Sequence, residues 1–275
     1  MSEARLRATA RAWLASGRRA AIVEVVQAQG STPREAGARM LVAPDTTEGT
    51  IGGGHLELEA IADARAALAQ GHVDLKTTRY ALGPSLGQCC GGVVVLQRAP
   101  LDEAALARWP EPQARFALQL HGAGHVGREI VRLLAGIDCR VSWIDEREEQ
   151  FPAEPLPPHI ERVCVEPADA EVRGAPIGAF YLVLTHSHDL DLAIVEAVLR
   201  RGDFGFLGLI GSATKRARFE HRLQQRGIAG EALSRMACPI GIGGIEGKAP
   251  EVVAISAVAQ LLTLPPARRP PAGRP

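Results

Sequence analysis

Twelve consecutive residues, Phe116-Ala117-Leu118-Gln119-Leu120-His121-Gly122-Ala123-Gly124-His125-Val126-Gly127, narrow the fold more than any other stretch of the chain. An apolar strand runs into three glycines spaced GxGxxG, and an amphipathic helix follows. A second strand then ends in an acid, Trp143-Ile144-Asp145, eighteen residues past Gly127. That context is what a dinucleotide-type phosphate turn requires. Gly122 permits the tight turn, Gly124 lets a phosphate approach backbone N–H groups, and Gly127 lets the helix lie close to the strand. The helix start, with His125 at its head, adds unpaired donors and about half a positive charge. Asp145 is expected to accept ribose hydroxyls and to repel a 2′-phosphate, which disfavours NADP.

The rest of the second half extends this pattern. Strands are expected near 115–121, 139–144, 161–165, 179–185 and 205–210, with helices at 125–135, 189–201, 212–226 and 249–263. Such alternation predicts a parallel sheet covered on both faces. Ahead of it, a helix over 1–18, strands at 20–26, 40–42, 74–82 and 92–98, and a helix opened by the stretch 49–57 and running to about Gln70 predict a smaller unit. The fold class is therefore α/β: a smaller N-terminal α/β domain (1–98), a Pro-rich linker (99–114), a Rossmann-like, doubly wound parallel-sheet domain (115–264) and a disordered Pro/Arg-rich tail (265–275).

Three further motifs bear on chemistry. Gly211-Ser212-Ala213-Thr214-Lys215-Arg216 joins a strand end to a helix start, so Ser212, Thr214, Lys215 and Arg216 are candidate phosphate contacts. A capped helix with solvated cations is the competing account. Thr185-His186-Ser187-His188-Asp189 resembles a metal-binding HxHxD run, but no final His follows, and Asp189 also suits a helix cap. Gly241 to Lys248 lacks the first glycine and the Ser/Thr of a P-loop, which excludes a nucleotide triphosphatase.

Five cysteines without an apolar leader argue for reduced thiols and a cytoplasmic protein. Cys139, Cys164 and Cys238 fall in or beside expected strands and read as core. Cys89 and Cys90 lie between Gly87 and Gly91-Gly92, a flexible setting that leaves sulfur reachable, so a functional thiol is expected there, whereas adjacent cysteines rarely coordinate one metal. Lys+Arg and Asp+Glu both number 31, a formal net charge of zero. That balance excludes a general nucleic-acid binder, which needs surplus cation to displace phosphate counterions. No run reaches the ~18 apolar residues of a membrane span.

Taken in order, the segments GSTPREAGARMLV (30–42), GTIGGGHLE (49–57), GQCCGG (87–92), HGAGHVGREIVRLLA (121–135), WIDEREEQFP (143–152), THSHDLDLAIVEAVLRRGDF (185–204), GLIGSATKRARFEHRL (208–223) and CPIGIGGIEGKAPEVVAISAVAQLL (238–262) resemble the XdhC/CoxI family of xanthine dehydrogenase accessory proteins. The resemblance implies an accessory protein rather than an enzyme. Such a protein binds the molybdenum cofactor (molybdopterin) transiently, protects it, assists its sulfuration by a cysteine desulfurase, and promotes its insertion into the molybdenum-binding subunit of xanthine dehydrogenase. Cofactor-biosynthesis proteins are further implied partners, and a homodimer is the usual state. On that expectation Gly122 to Gly127 and the Ser212–Arg216 segment hold the cofactor's phosphate, and Cys89 or Cys90 lies near molybdenum or the incoming sulfur. Asp145 then contacts the pterin or is simply inherited. Two alternatives stay open: an NAD-dependent oxidoreductase using the glycine turn, which lacks a YxxxK pair beside Tyr80 or Tyr181, and a sulfur carrier using Cys89 or Cys90.

Overall fold

A computed structural model describes residues 2–82 and 91–265. Cys89, Cys90 and the tail from 266 lie outside the described residues. The chain divides into two compact units, Met1–Pro112 and Gln113–Pro275.

The first unit is built on an antiparallel sheet in the order β3-β2-β1-β5-β4. Its strands are β1 (Ala21–Gln29), β2 (Arg39–Val42), β3 (Thr47–Gly49), β4 (Lys76–Ala81) and β5 (Val93–Pro100). Successive residues of a strand face opposite ways, so the apolar run in β1 reports a sheet covered on both sides. Val23 and Val25, with Met40 and Val42, pack beneath α2 (Gly54–Ala69). Ile22 and Leu41 pack on the other face, beneath α1 (Glu3–Ala15) and α3 (Glu103–Arg108). Edge strand β4 reads Lys-Thr-Thr-Arg-Tyr-Ala and is largely exposed, a charged edge that discourages further pairing.

Helix α3 departs from the expected linker over 99–114. Leu101, Ala105, Leu106 and Trp109 are core residues of this unit. The prolines that suggest a linker instead bracket the helix, and the Asp102 carboxylate caps it by accepting from the Ala105 N–H at 2.7 Å. The division between units falls after Pro112.

In the second unit six parallel strands take the order β11-β10-β9-β6-β7-β8. They are β6 (Ala117–His121), β7 (Arg140–Asp145), β8 (Ile160–Cys164), β9 (Phe180–Val183), β10 (Phe206–Leu209) and β11 (Met236–Ala237). Counted along this unit alone the order is 3-2-1-4-5-6, the doubly wound arrangement whose ligand crevice lies where the order reverses, between β6 and β9. Helices α4 (His125–Leu134) and α8 (Pro250–Thr263) cover one face, with Ile130, Leu134, Ala257 and Leu261 against Leu118, Trp143 and Phe180. Helices α5 (His188–Arg201) and α6 (Ala213–Gln225) cover the other, with Val195, Val198 and Phe219 against Tyr181 and Leu207. A short helix α7 (Gly230–Ser234) leads into β11. Pro250 occupies the first turn of α8, where its missing N–H costs nothing.

Candidate functional site

The crevice is built first from the tip of β7. The Trp143 indole N–H donates to the Gly122 carbonyl at 3.0 Å, and the Ile144 carbonyl accepts from the Gly122 N–H at 2.8 Å. Asp145 Oδ2 accepts from the Ala123 N–H at 2.7 Å. Three consecutive residues of one strand therefore hold the glycine turn of another. The turn also abuts β9, because a Cβ on Gly122 would stand 2.3 Å from the Leu184 carbonyl oxygen. A Cβ on Gly127 would stand 2.1 Å from the Gly122 oxygen, so helix packing requires that glycine. Gly124 differs: its φ is −71° and nothing lies within 4 Å of its would-be Cβ. The fold does not demand glycine there, which is what an approaching ligand would ask for. Gly124 heads α4 with no side-chain cap, and His125 beside it is exposed.

Asp145 does not present the free carboxylate expected for a ribose. It is 4% exposed, and besides the Ala123 N–H it accepts from the Arg147 N–H (3.0 Å), Nε (2.9 Å) and Nη2 (3.1 Å). Burial pushes its carboxyl up, but the Arg147 guanidinium and the two N–H groups outweigh that and hold it below the ordinary carboxylate range. The acid at the end of the second strand is spent on the turn.

On the other side of the switch point, an open cavity of about 440 Å³ lies beyond the ends of β9 and β10. Ser212, Thr214 and Lys215 line it, joined by Thr185, His186, His188 and Arg218. Its wall rests on a buried ion pair. The Lys215 ammonium donates to Asp191 Oδ2 at 2.6 Å and to the Ile210 carbonyl at 2.9 Å. Asp191, 0% exposed, also accepts from the Thr185 N–H (2.9 Å) and hydroxyl (2.7 Å). Arg216 turns away instead, donating to Glu220 at 2.7 Å and to the Cys238 carbonyl at 3.5 Å. Residues 214 and 218 stand one helical turn apart whereas 216 lies well around the axis, so helical spacing was the signal for Arg218. The cap of α5 is Ser187, whose hydroxyl accepts from the Leu190 N–H at 3.4 Å; Asp189 pairs with Arg222. Among the described residues no group of three or more His, Cys, Asp or Glu is gathered for a metal.

The described thiols are not activated. Burial pushes Cys139 up to about 12, helped by Asp138, and also raises buried Cys238. Cys164 is exposed rather than core, because β8 is the sheet's edge. Its thiol is also raised, by desolvation first and then by Glu148, with Asp145 and Glu149 adding to it. The glycine-rich Gly241–Lys248 stretch is fastened to α8: the Ile242 N–H donates to the Ser256 hydroxyl at 2.9 Å, and the Gly241 N–H to Gln260 Oε1 at 2.8 Å.

His121, the last residue of β6, is wholly buried, and desolvation pushes its imidazole down to about 3 from an ordinary 6.5. Nε2 lies 3.2 Å from Gln119 Oε1. The unfolded chain takes up a proton near pH 6.5 that the folded chain refuses until about 3. Stability is therefore full above pH 6.5 and falls as the pH drops, by up to about 1.4 kcal/mol per pH unit. Urea unfolding of His121→Gln is expected to show a flatter pH dependence between about pH 6 and 4. An unchanged slope contradicts this assignment.

Comparison with known proteins follows the same two units. The XdhC Rossmann domain family matches residues 118–261, and the XdhC and CoxI family matches residues 13–81. The uncharacterized protein YqeB of Escherichia coli (strain K12) is 28% identical over 244 residues, which cover 88% of this chain and 43% of YqeB. The chain thus spans less than half the length of that relative. A crystal structure described as a xanthine dehydrogenase from Bacillus halodurans superimposes with a TM-score of 0.76 at 21% identity, covering 96% of this chain and 95% of that one, and it shares the fold. No helix among the described residues is long and apolar enough to cross a membrane. With matches over both units, and more than half of its length within the Rossmann family alone, the chain belongs to the XdhC and CoxI family.

Proposed function

We propose that the chain is an accessory protein of xanthine dehydrogenase that binds the molybdenum cofactor, shields it during sulfuration by a cysteine desulfurase, and passes it to the molybdenum-binding subunit. The observation that carries this is a crevice with anion-binding features whose ribose acid is already engaged. Gly124 leaves open backbone at a helix start, and Ser212, Thr214 and Lys215 line a cavity beyond the ends of β9 and β10. Asp145 meanwhile has both oxygens occupied. These features suit a ligand that brings a phosphate but no ribose.

Molybdopterin has that chemistry, since it carries a phosphate monoester, a pterin and a dithiolene that chelates molybdenum. In the proposed arrangement its body lies across Gly122–Gly127 and His125, with Ser212, Thr214 and Lys215 on its anionic side. When bound, the cofactor supplies the molybdenum and its exchangeable terminal ligand. The chain's own residues orient it. The described thiols have raised pKa values and do not fit a metal ligand, so the sulfur side of the proposal falls to Cys89 or Cys90. An NAD-dependent oxidoreductase is less favoured, because the carboxylate it would use for ribose is buried under Arg147.

Protein purified from molybdenum-sufficient cells is expected to carry pterin, released by acid and detected as its fluorescent oxidised form. Protein that carries none and binds none of the supplied cofactor sinks the proposal. Binding of NAD(H) tighter than about 1 mM would restore the oxidoreductase.

A further inference from the structure

We propose that the cavity beyond β9 and β10 is the phosphate-monoester subsite of this protein, with Arg218 as its principal anion contact and Lys215 as its fixed floor. This assigns the ligand's anionic end to the start of α6 and not to the glycine turn at α4. It rests on the cofactor reading only for which molecule brings the phosphate.

Charge bookkeeping comes first. The carboxylates nearest the cavity are already matched: Asp191 by Lys215, Asp189 by Arg222, and Glu220 by Arg216. Arg218 lines the cavity, is exposed, and has no hydrogen bond or ion pair among the described residues. His186 and His188 are likewise exposed on the wall without partners. The cavity therefore presents an unmatched guanidinium and two imidazoles, with no unmatched carboxylate among its lining residues. A guanidinium offers donors in a planar fork that fits phosphate oxygens two at a time.

The remaining donors come second. Lys215 spends one N–H on Asp191 and one on the Ile210 carbonyl, which leaves one of its three. The pair also fixes that ammonium in place, so little rotamer freedom is lost when an anion arrives. The Ser212 hydroxyl caps the Lys215 N–H at 3.3 Å. The N–H groups of Ala213 and Thr214, at the head of this 13-residue helix, have no partner within it. At about 440 Å³ the cavity exceeds a bare phosphate and has room for the carbon that carries it. By contrast, the uncapped start of α4 offers open backbone but no lysine, and its first-turn arginine, Arg128, donates to the Gln150 carbonyl.

The test uses the full chain and titrates inorganic phosphate and phenyl phosphate by calorimetry. Both are expected to bind, the monoester at least as tightly. Arg218→Ala is expected to weaken both by at least about tenfold, the scale of one charged hydrogen bond, while Arg128→Ala, beside the glycine turn, leaves them unchanged. Weakening by Arg128→Ala instead of Arg218→Ala moves the phosphate to the glycine turn and overturns the assignment. So does absence of binding up to about 10 mM. A site that takes inorganic phosphate and refuses phenyl phosphate overturns the monoester. Loss of phosphate binding from protein that still co-purifies with pterin removes this subsite alone. Phosphate binding intact in protein that never holds pterin keeps the subsite and removes the cofactor.

Discussion

Gly127→Ala is expected to destabilise the second unit by about 4 kcal/mol or more, a range that few substitutions reach and that a clash with fixed backbone can produce. The added methyl would stand 2.1 Å from the Gly122 oxygen. That oxygen is pinned by the Trp143 indole and the same residue's N–H by Ile144, so relief requires dismantling the turn or lifting α4 off the sheet. Gly124→Ala, two residues inside the same motif, is expected to cost about 1 kcal/mol or less, the scale of a helix-cap change. The same variant should lose at least about tenfold in cofactor affinity, since the methyl enters the space left for ligand. Urea unfolding of the full chain, followed by pterin binding, separates the two. Equal stability of Gly127→Ala and the parent would refute the turn geometry.

Lys215→Met is expected to cost about 3–5 kcal/mol, because it leaves a fully buried carboxylate without its cation. The distinguishing result is partial recovery by a second change. Asp191→Asn keeps an oxygen for the Thr185 N–H and hydroxyl but removes the charge, so Asp191→Asn/Lys215→Met should regain most of the loss. A double variant no more stable than Lys215→Met would show that packing of the lysine stem, and not charge, sets the cost.

The doubly wound sheet was legible because β6, β9 and β10 are buried on both faces and read as near-continuous apolar runs. Helix α3 was hidden by flanking prolines, and β3 and β11 by their lengths of three and two residues. Three of the cavity's lining residues could be read from motifs: Ser212, Thr214 and Lys215. The roles of Asp145 and Arg216 could not, because each depends on a neighbour chosen by the fold. Arg147 lies two residues from Asp145 and pairs with it only because the chain turns just past β7. Glu220 claims Arg216 from one turn along α6, a competitor visible in sequence but undecided until the cavity's side of the helix is known.

Because the tip of β7 fastens the glycine turn through two backbone-directed bonds and one indole, the turn belongs to the sheet's cooperative unit rather than to a fraying loop. A ligand bound at this turn would therefore spend little on ordering that segment. On the proposed function, release of the cofactor would need only its polar contacts weakened, with no unfolding of the turn.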